Sequence, residues 1–118
     1  MAKILIVDDE ALIRDLESRI CSSAGHECEA FGSVAEALSA LENARFNLVI
    51  TDMNMPGRTG LDLLRQLKED GSTVPVICVS GSVGKSDAQD LLAQGFAALL
   101  EKPATLEQMQ EAIDSALG

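Results

Sequence analysis

Short apolar runs alternate along this chain with longer segments in which apolar residues recur every three or four positions. The runs are Ile4–Val7, Leu48–Ile50, Val76–Val79 and Ala97–Leu100. Each is brief and most are rich in Ile, Val and Leu, as expected of parallel strands covered on both faces. A weaker candidate, Glu27–Phe31, alternates Glu with Cys and Ala and predicts an edge strand with one wet face. Between the runs lie helical stripes. Leu12, Ile13, Leu16 and Ile20 form the first, which Gly25 ends. Ser33 and Glu36 make a capping box ahead of Val34, Ala37, Leu38 and Leu41. Leu61, Leu64 and Leu67 form a third stripe, stopped near Gly71, and Ala88, Leu91 and Leu92 a shorter one, stopped at Gly95. Thr105 and Gln108 cap a last helix carrying Leu106, Met109, Ile113 and Leu117, of which Leu106, Met109 and Ile113 are expected in the core.

Five strand–helix repeats predict one α/β domain over residues 1–118: an open parallel sheet, helices on both faces, right-handed crossovers. A chain of 118 residues buries roughly two thirds of its unfolded surface, enough for one core. With three Phe, no Trp and no Tyr, that core must be mostly aliphatic. Three cysteines, Cys21, Cys28 and Cys78, are too few and of the wrong number for a disulfide framework, and read as small apolar residues in a reducing compartment. His26, in a helix–strand turn, reads as a surface residue. A net charge of −10 argues against direct nucleic-acid binding and against anionic membranes. No apolar stretch approaches the ~18 residues of a membrane span, and the first residues enter a strand directly, so a cytoplasmic location without a signal peptide is expected.

In open parallel sheets, ligands bind outside the carboxyl ends of the strands. There the chain places Asp8 and Asp9 after Val7, Thr51 and Asp52 after Ile50, Ser80 and Gly81 after Val79, and Glu101, Lys102 and Pro103 after Leu100. Two carboxylates about 4 Å apart repel by roughly 4 kcal/mol at an effective dielectric of about 20. Three mutual pairs approach the whole stability of a domain, about 5–15 kcal/mol. Such acids take up protons, spread apart or bind a cation. Oxygen donors without Cys or His favour Mg2+ or a similar ion such as Mn2+. Lys102 supplies a compact positive charge for a phosphate, Ser80 a hydroxyl donor, and Gly81 room for backbone to approach. The set suits phosphoryl transfer. Asp52, alone at a central strand end, is the candidate nucleophile for an aspartyl phosphate, and Asp8 and Asp9 suit the metal.

Asp8-Asp9, Asp52 within DMNMPGRTGLDLL, Ser80-Gly81 and Lys102-Pro103 together resemble the receiver domain of bacterial response regulators, in the family's order and over essentially the whole chain. The resemblance implies a flavodoxin-like fold with strand order 2-1-3-4-5. It implies that Asp52 accepts a phosphoryl group from a phosphohistidine of a sensor kinase or phosphotransfer protein. Asp9, Asp52 and the backbone carbonyl of Asn54 would ligate Mg2+ directly, and Asp8 through water. Lys102 would pair with the phosphoryl group, Ser80 would swing inward to it, and the Lys102-Pro103 peptide would be cis. The protein would catalyse only its own phosphorylation and dephosphorylation, with Asn54 and Ser82 tuning the lifetime, and would signal to a downstream protein or effector domain. The Gly81–Ser86 loop, with two glycines, is expected to be mobile. One position departs from the family. The Tyr or Phe usual three residues before the lysine is here Leu99, so the usual aromatic switch cannot operate in the same way.

Other chemistries fit less well. A haloacid-dehalogenase-type phosphohydrolase needs an acid where Asn54 stands, carries its acid pair late in the chain, and uses a cap domain. A flavin or nucleotide site of the flavodoxin type needs a phosphate cradle after the first strand, where acids stand here. A receiver-like adaptor working without phosphorylation usually lacks one of the site residues, and here all five positions are filled.

Overall fold

Every apolar run becomes a strand and every stripe a helix in the computed structural model, which describes residues 2–55, 57–81, 85–102 and 104–118. The order is β1 (Lys3–Val7), α1 (Ala11–Ser23), β2 (Glu27–Phe31), α2 (Val34–Asn43), β3 (Leu48–Asp52), α3 (Gly60–Glu69), β4 (Val76–Ser80), α4 (Lys85–Gln94), β5 (Ala98–Glu101) and α5 (Leu106–Leu117). All strand pairs are parallel, in the order β2-β1-β3-β4-β5, the flavodoxin-like arrangement. Among the described residues, no helix is long and apolar enough to cross a membrane.

Alternation along the strands divides the core in two. Leu5, Val7, Val49, Val76 and Cys78 face α2 and α3, where Val34, Ala37, Leu63, Leu64 and Leu67 close over them. Ile4, Ile6, Leu48, Ile50, Ile77 and Val79 face Ile20 and Cys21 of α1 and Met109, Ala112 and Ile113 of α5. Each fully buried aliphatic side chain contributes about 1.5–3 kcal/mol. β1, β3 and β4 have both faces covered, hence their unbroken apolar runs. β2 is the expected edge strand, with Glu27 and Glu29 exposed. β5 departs from expectation: it starts at Ala98, and Ala98, Leu99 and Leu100 are only half-buried, because it forms the other edge. β3 and β4 run on past their apolar residues, into Thr51-Asp52 and Ser80, since ladder hydrogen bonds are indifferent to side-chain polarity.

Caps and stripes bring further corrections. Ser33 Oγ accepts from the Glu36 N–H as expected, but the Glu36 carboxylate turns to the N–H of Gly32, one residue before the cap. The Thr105–Gln108 box is complete, and an unforeseen Thr59–Asp62 box starts α3. α1, α3 and α4 stop at Gly25, Gly71 and Gly95, each at positive φ. On α1 the buried residues are Glu17, Ile20 and Cys21, whereas Leu12 is 84% exposed and Leu16 49%. Leu106 and Leu92 are also largely exposed, so Leu106 does not belong to the core. His26 is not idle: its Nδ1 accepts the N–H of Ala2 at 3.1 Å, tying the start of the chain to the turn before β2.

Candidate functional site

Backbone bonds that continue beyond the strand ends set the site. The Asp8 N–H donates to Phe31 O at 3.1 Å, the Met53 N–H to Val79 O at 3.3 Å, and the Lys102 N–H to Ser80 O at 2.7 Å. In the ladder, Val7 pairs with Thr51, Asp52 with Val79, and Ser80 with Glu101. The residues following β1 and β5 and those ending β3 and β4 are thereby held on one edge of the sheet.

Three of the predicted side chains meet directly. Lys102 Nζ lies 3.0 Å from Asp8 Oδ2 and 3.2 Å from Asp52 Oδ2. Asp8 is 1% exposed and Asp52 6%. Burial raises the Asp52 pKa above the ordinary carboxylate value; the ammonium of Lys102 opposes this, and the charge of Asp8 adds to it. Burial acts to lower the Lys102 pKa, but its bonds to Asp8 and Asp52 outweigh that and raise it. The pair of acids is tolerable because one ammonium serves both. Asp8 is further fixed by two contacts the sequence did not announce. Its Oδ1 accepts the Glu10 N–H at 2.9 Å, and its carbonyl accepts from Arg14 Nη1 at 2.7 Å.

Asp9 and Glu10 lie at the exposed rim. Asp8, Asp9 and Glu10 each present a carboxylate oxygen within 4.8 Å of the others. These donors are all hard oxygens, the chemistry that magnesium or manganese takes. Asn54 is exposed and its backbone hydrogen-bonds Asp52, so it borders the same carboxylate. Ser80 is buried, and its Oγ is, among the described residues, the one buried side-chain polar atom without a hydrogen-bond partner. A buried hydroxyl left without a partner costs about 1–3 kcal/mol. Leu99 is half-buried beside Cys78 and packs on the α2–α3 side of the sheet. Pro103, and with it the expected cis peptide, lies outside the described residues, as do Ser82–Gly84 of the expected mobile loop.

The loop after Asp52 is closed by Gly60, whose N–H donates to Met53 O at 2.9 Å. A Cβ at Gly60 would stand 2.5 Å from the Asp52 carbonyl oxygen and 3.2 Å from Thr51 Cγ2. Backbone cannot yield as a flexible side chain does. Gly60→Ala is therefore expected to destabilise the chain by about 1–3 kcal/mol in urea unfolding; an unchanged midpoint would refute the close approach.

One buried acid near this site was missed by reading the sequence. Glu17, on α1, is 6% exposed. Burial first, then the charge of Asp8, pushes its pKa up to about 8, while Lys102 pulls the other way. The signal was present: Glu17 stands four residues after Ile13 and three before Ile20, on one helical face.

The profile of the response regulator receiver domain matches residues 4–114. The chain is 31% identical over 110 residues to the sensor histidine kinase RcsC of Escherichia coli, covering 93% of this chain and 12% of the kinase. It is 30% identical over 115 residues to the two-component response regulator PhoP of Pseudomonas aeruginosa, covering 98% of this chain and 51% of the regulator. The chain thus spans about half or less of the length of these curated relatives. Among solved structures, the chemotaxis protein CheY4 of Vibrio cholerae superposes with a TM-score of 0.92 at 30% identity, covering 99% of both chains. A receiver domain protein from Clostridium thermocellum superposes with a TM-score of 0.91 at 31% identity, covering 99% of this chain and 94% of that one.

Proposed function

Since this chain belongs to the family of response regulator receiver domains, we propose that it is the phosphoryl-accepting switch of a two-component pathway, with Asp52 as the acceptor. The observation that carries this reading is the ammonium of Lys102 held between Asp8 and Asp52, 3.0 and 3.2 Å from their carboxylates. An oxygen of Asp52 forms the new O–P bond as the N–P bond of the donor phosphohistidine breaks, and the imidazole leaves. Asp52 must be ionised to attack, and Lys102 favours that form against the cost of burial. The phosphoryl group brings about −1.5 to −2 charge. Lys102 pairs with one of its oxygens, and the Ser80 hydroxyl, which among the described residues has no hydrogen-bond partner, donates to another.

Asp9, Asp52 and the carbonyl of Asn54 would hold Mg2+ (or Mn2+), with Asp8 acting through water; the ion supplies neutralising charge for the transferred group. The donor is a sensor histidine kinase or a phosphotransfer protein, and the receiver of the signal is a downstream protein or an effector domain, in the cytoplasm. The chain turns over no external substrate; the reaction is its own phosphorylation and dephosphorylation. Leu99 replaces the family's ring, so the surface of β4, α4 and β5 changes by a route other than an aromatic side chain turning inward.

Intact-protein mass after incubation with acetyl phosphate or phosphoramidate and magnesium tests the reading. One phosphoryl adduct is expected, absent without magnesium and absent in Asp52→Asn. No adduct in the folded, magnesium-loaded protein would refute it in favour of an adaptor that works without phosphorylation.

A further inference from the structure

Every polar group of Asp8 is engaged within the chain. Its carboxylate accepts from Lys102 Nζ at 3.0 Å and from the Glu10 N–H at 2.9 Å. Its own N–H donates to Phe31 O at 3.1 Å, and its carbonyl accepts from Arg14 Nη1 at 2.7 Å. That carbonyl belongs to the peptide joining Asp8 to Asp9, and a peptide unit is rigid and planar. A donor on its oxygen therefore fixes the plane from which Asp9 departs. Asp9 is exposed, and among the described residues no ion pair holds it. Arg14, by contrast, is seated. Its N–H closes the first turn of α1 on Glu10 O at 3.0 Å. Its half-buried guanidinium uses the room left by the missing side chain of Gly32, where a Cβ would stand 3.3 Å from Nη1 and 3.8 Å from Cζ. Glu36 Oε2 holds that glycine in turn, accepting its N–H at 3.1 Å. Among the described residues Arg14 forms no ion pair, so its bond to the carbonyl is not a by-product of charge pairing.

We propose that Arg14 is a positioning residue for the metal site, its guanidinium locking the Asp8–Asp9 peptide so that the Asp9 carboxylate is presented to Mg2+ in one place. The inference rests on the reading of Asp9 as a ligand of that ion. A group that orients a metal ligand through a hydrogen bond is typically worth about 10–100-fold in metal affinity. Charge alone predicts the opposite sign. A guanidinium beside a cation site repels the incoming ion, so deleting it would tighten binding. Positioning therefore shows as a loss of affinity when a positive charge is removed. Gly32 separates the two effects again. Its backbone is not in the left-handed region, so an alanine there is strained only by its contact with the guanidinium. Such an alanine displaces the guanidinium and leaves its charge in place.

The test compares the wild-type chain with Arg14→Met, Arg14→Lys and Gly32→Ala. In chelator, ¹⁵N relaxation reports how rigidly the Asp9 N–H is held. In a magnesium titration, amide shifts give the affinity of the unphosphorylated chain for the ion. The Asp9 order parameter is expected to be about 0.85 in wild type and to fall below about 0.6 in Arg14→Met. Mg2+ affinity is expected to fall about tenfold in Arg14→Met and about threefold in Gly32→Ala. Arg14→Lys, which keeps the charge and one donor, is expected to stay within about threefold of wild type. Phosphoryl uptake from acetyl phosphate at saturating magnesium is expected to stay within about twofold in all three, which places the defect in filling the site rather than in the transfer. Methionine matches arginine in helix propensity, so the variant is expected to fold. Should Arg14→Met not fold, Gly32→Ala and Arg14→Lys carry the comparison. Wild-type or tighter magnesium binding in Arg14→Met, with an unchanged Asp9 order parameter, would overturn the proposal. So would a Gly32→Ala chain that matches wild type in both readouts. A folded wild-type chain that binds no magnesium would overturn the metal reading instead, and the Asp9 amide in chelator would still decide whether Arg14 fixes that peptide.

Discussion

Lys102→Met will lower the stability of the magnesium-free chain by about 3 kcal/mol, the cost of breaking a buried charge pair from one side. Asp8 and Asp52 are 1% and 6% exposed, and both lean on the one ammonium. Without it, two like charges face each other in a largely buried pocket, and one must take up a proton or separate. Methionine keeps most of the stem's volume, so the loss is electrostatic rather than a cavity. Urea unfolding followed by far-ultraviolet circular dichroism measures it, because the chain has no Trp and no Tyr for fluorescence. Magnesium is expected to restore more stability to the variant than to the wild type, since a bound cation then replaces the positive charge that Lys102 held between the two carboxylates. Equal midpoints for the two proteins in chelator would show that solvent already screens the pair.

Glu17→Gln will flatten the pH dependence of stability between about pH 4.5 and about pH 8, the ordinary carboxyl value and the value burial gives this residue. Through that window the folded chain holds a proton on Glu17 that the unfolded chain has released. Stability from this group is therefore full below about 4.5 and is lost as the pH rises to about 8. The loss is about 1.4 kcal/mol for each pH unit, a few kcal/mol in all. Midpoints of urea unfolding across the window, in chelator, are expected to converge at the acid end and to diverge at the alkaline end, with the glutamine variant the more stable. Parallel curves would mean that Glu17 is as well solvated folded as unfolded.

The fold was legible in the chain because its two periods are physically distinct. Ile4–Val7 and Val76–Val79 are unbroken apolar runs since both of their faces are covered. Gly25, Gly71 and Gly95 end helices because only glycine takes their backbone angles without strain. The site was legible for a related reason. In a parallel sheet every strand delivers its carboxyl end to the same edge, so acids, hydroxyl and lysine that follow the runs must gather there. Asp8, Asp52, Ser80 and Lys102 do so.

Other features depended on where elements lie against one another. A helix rotates by about 100° per residue, so a small change of phase exchanges Leu12 and Leu16 for Ile13 and Glu17 on the buried face, and apolar spacing alone cannot choose between them. The apolar run of β5 reads as a strand covered on both faces, yet Ala98, Leu99 and Leu100 are only half-buried, because strand composition does not reveal how completely helices close over it. The alternation, the caps and the chemistry at the strand ends are local, and the sequence by itself determined them. That one ammonium serves two buried acids and that Glu17 is buried in the α1 face beside a small cavity it shares with Lys102 are facts of segments far apart in the chain, and only the pairing of the strands and the packing of α1 on the sheet decided them.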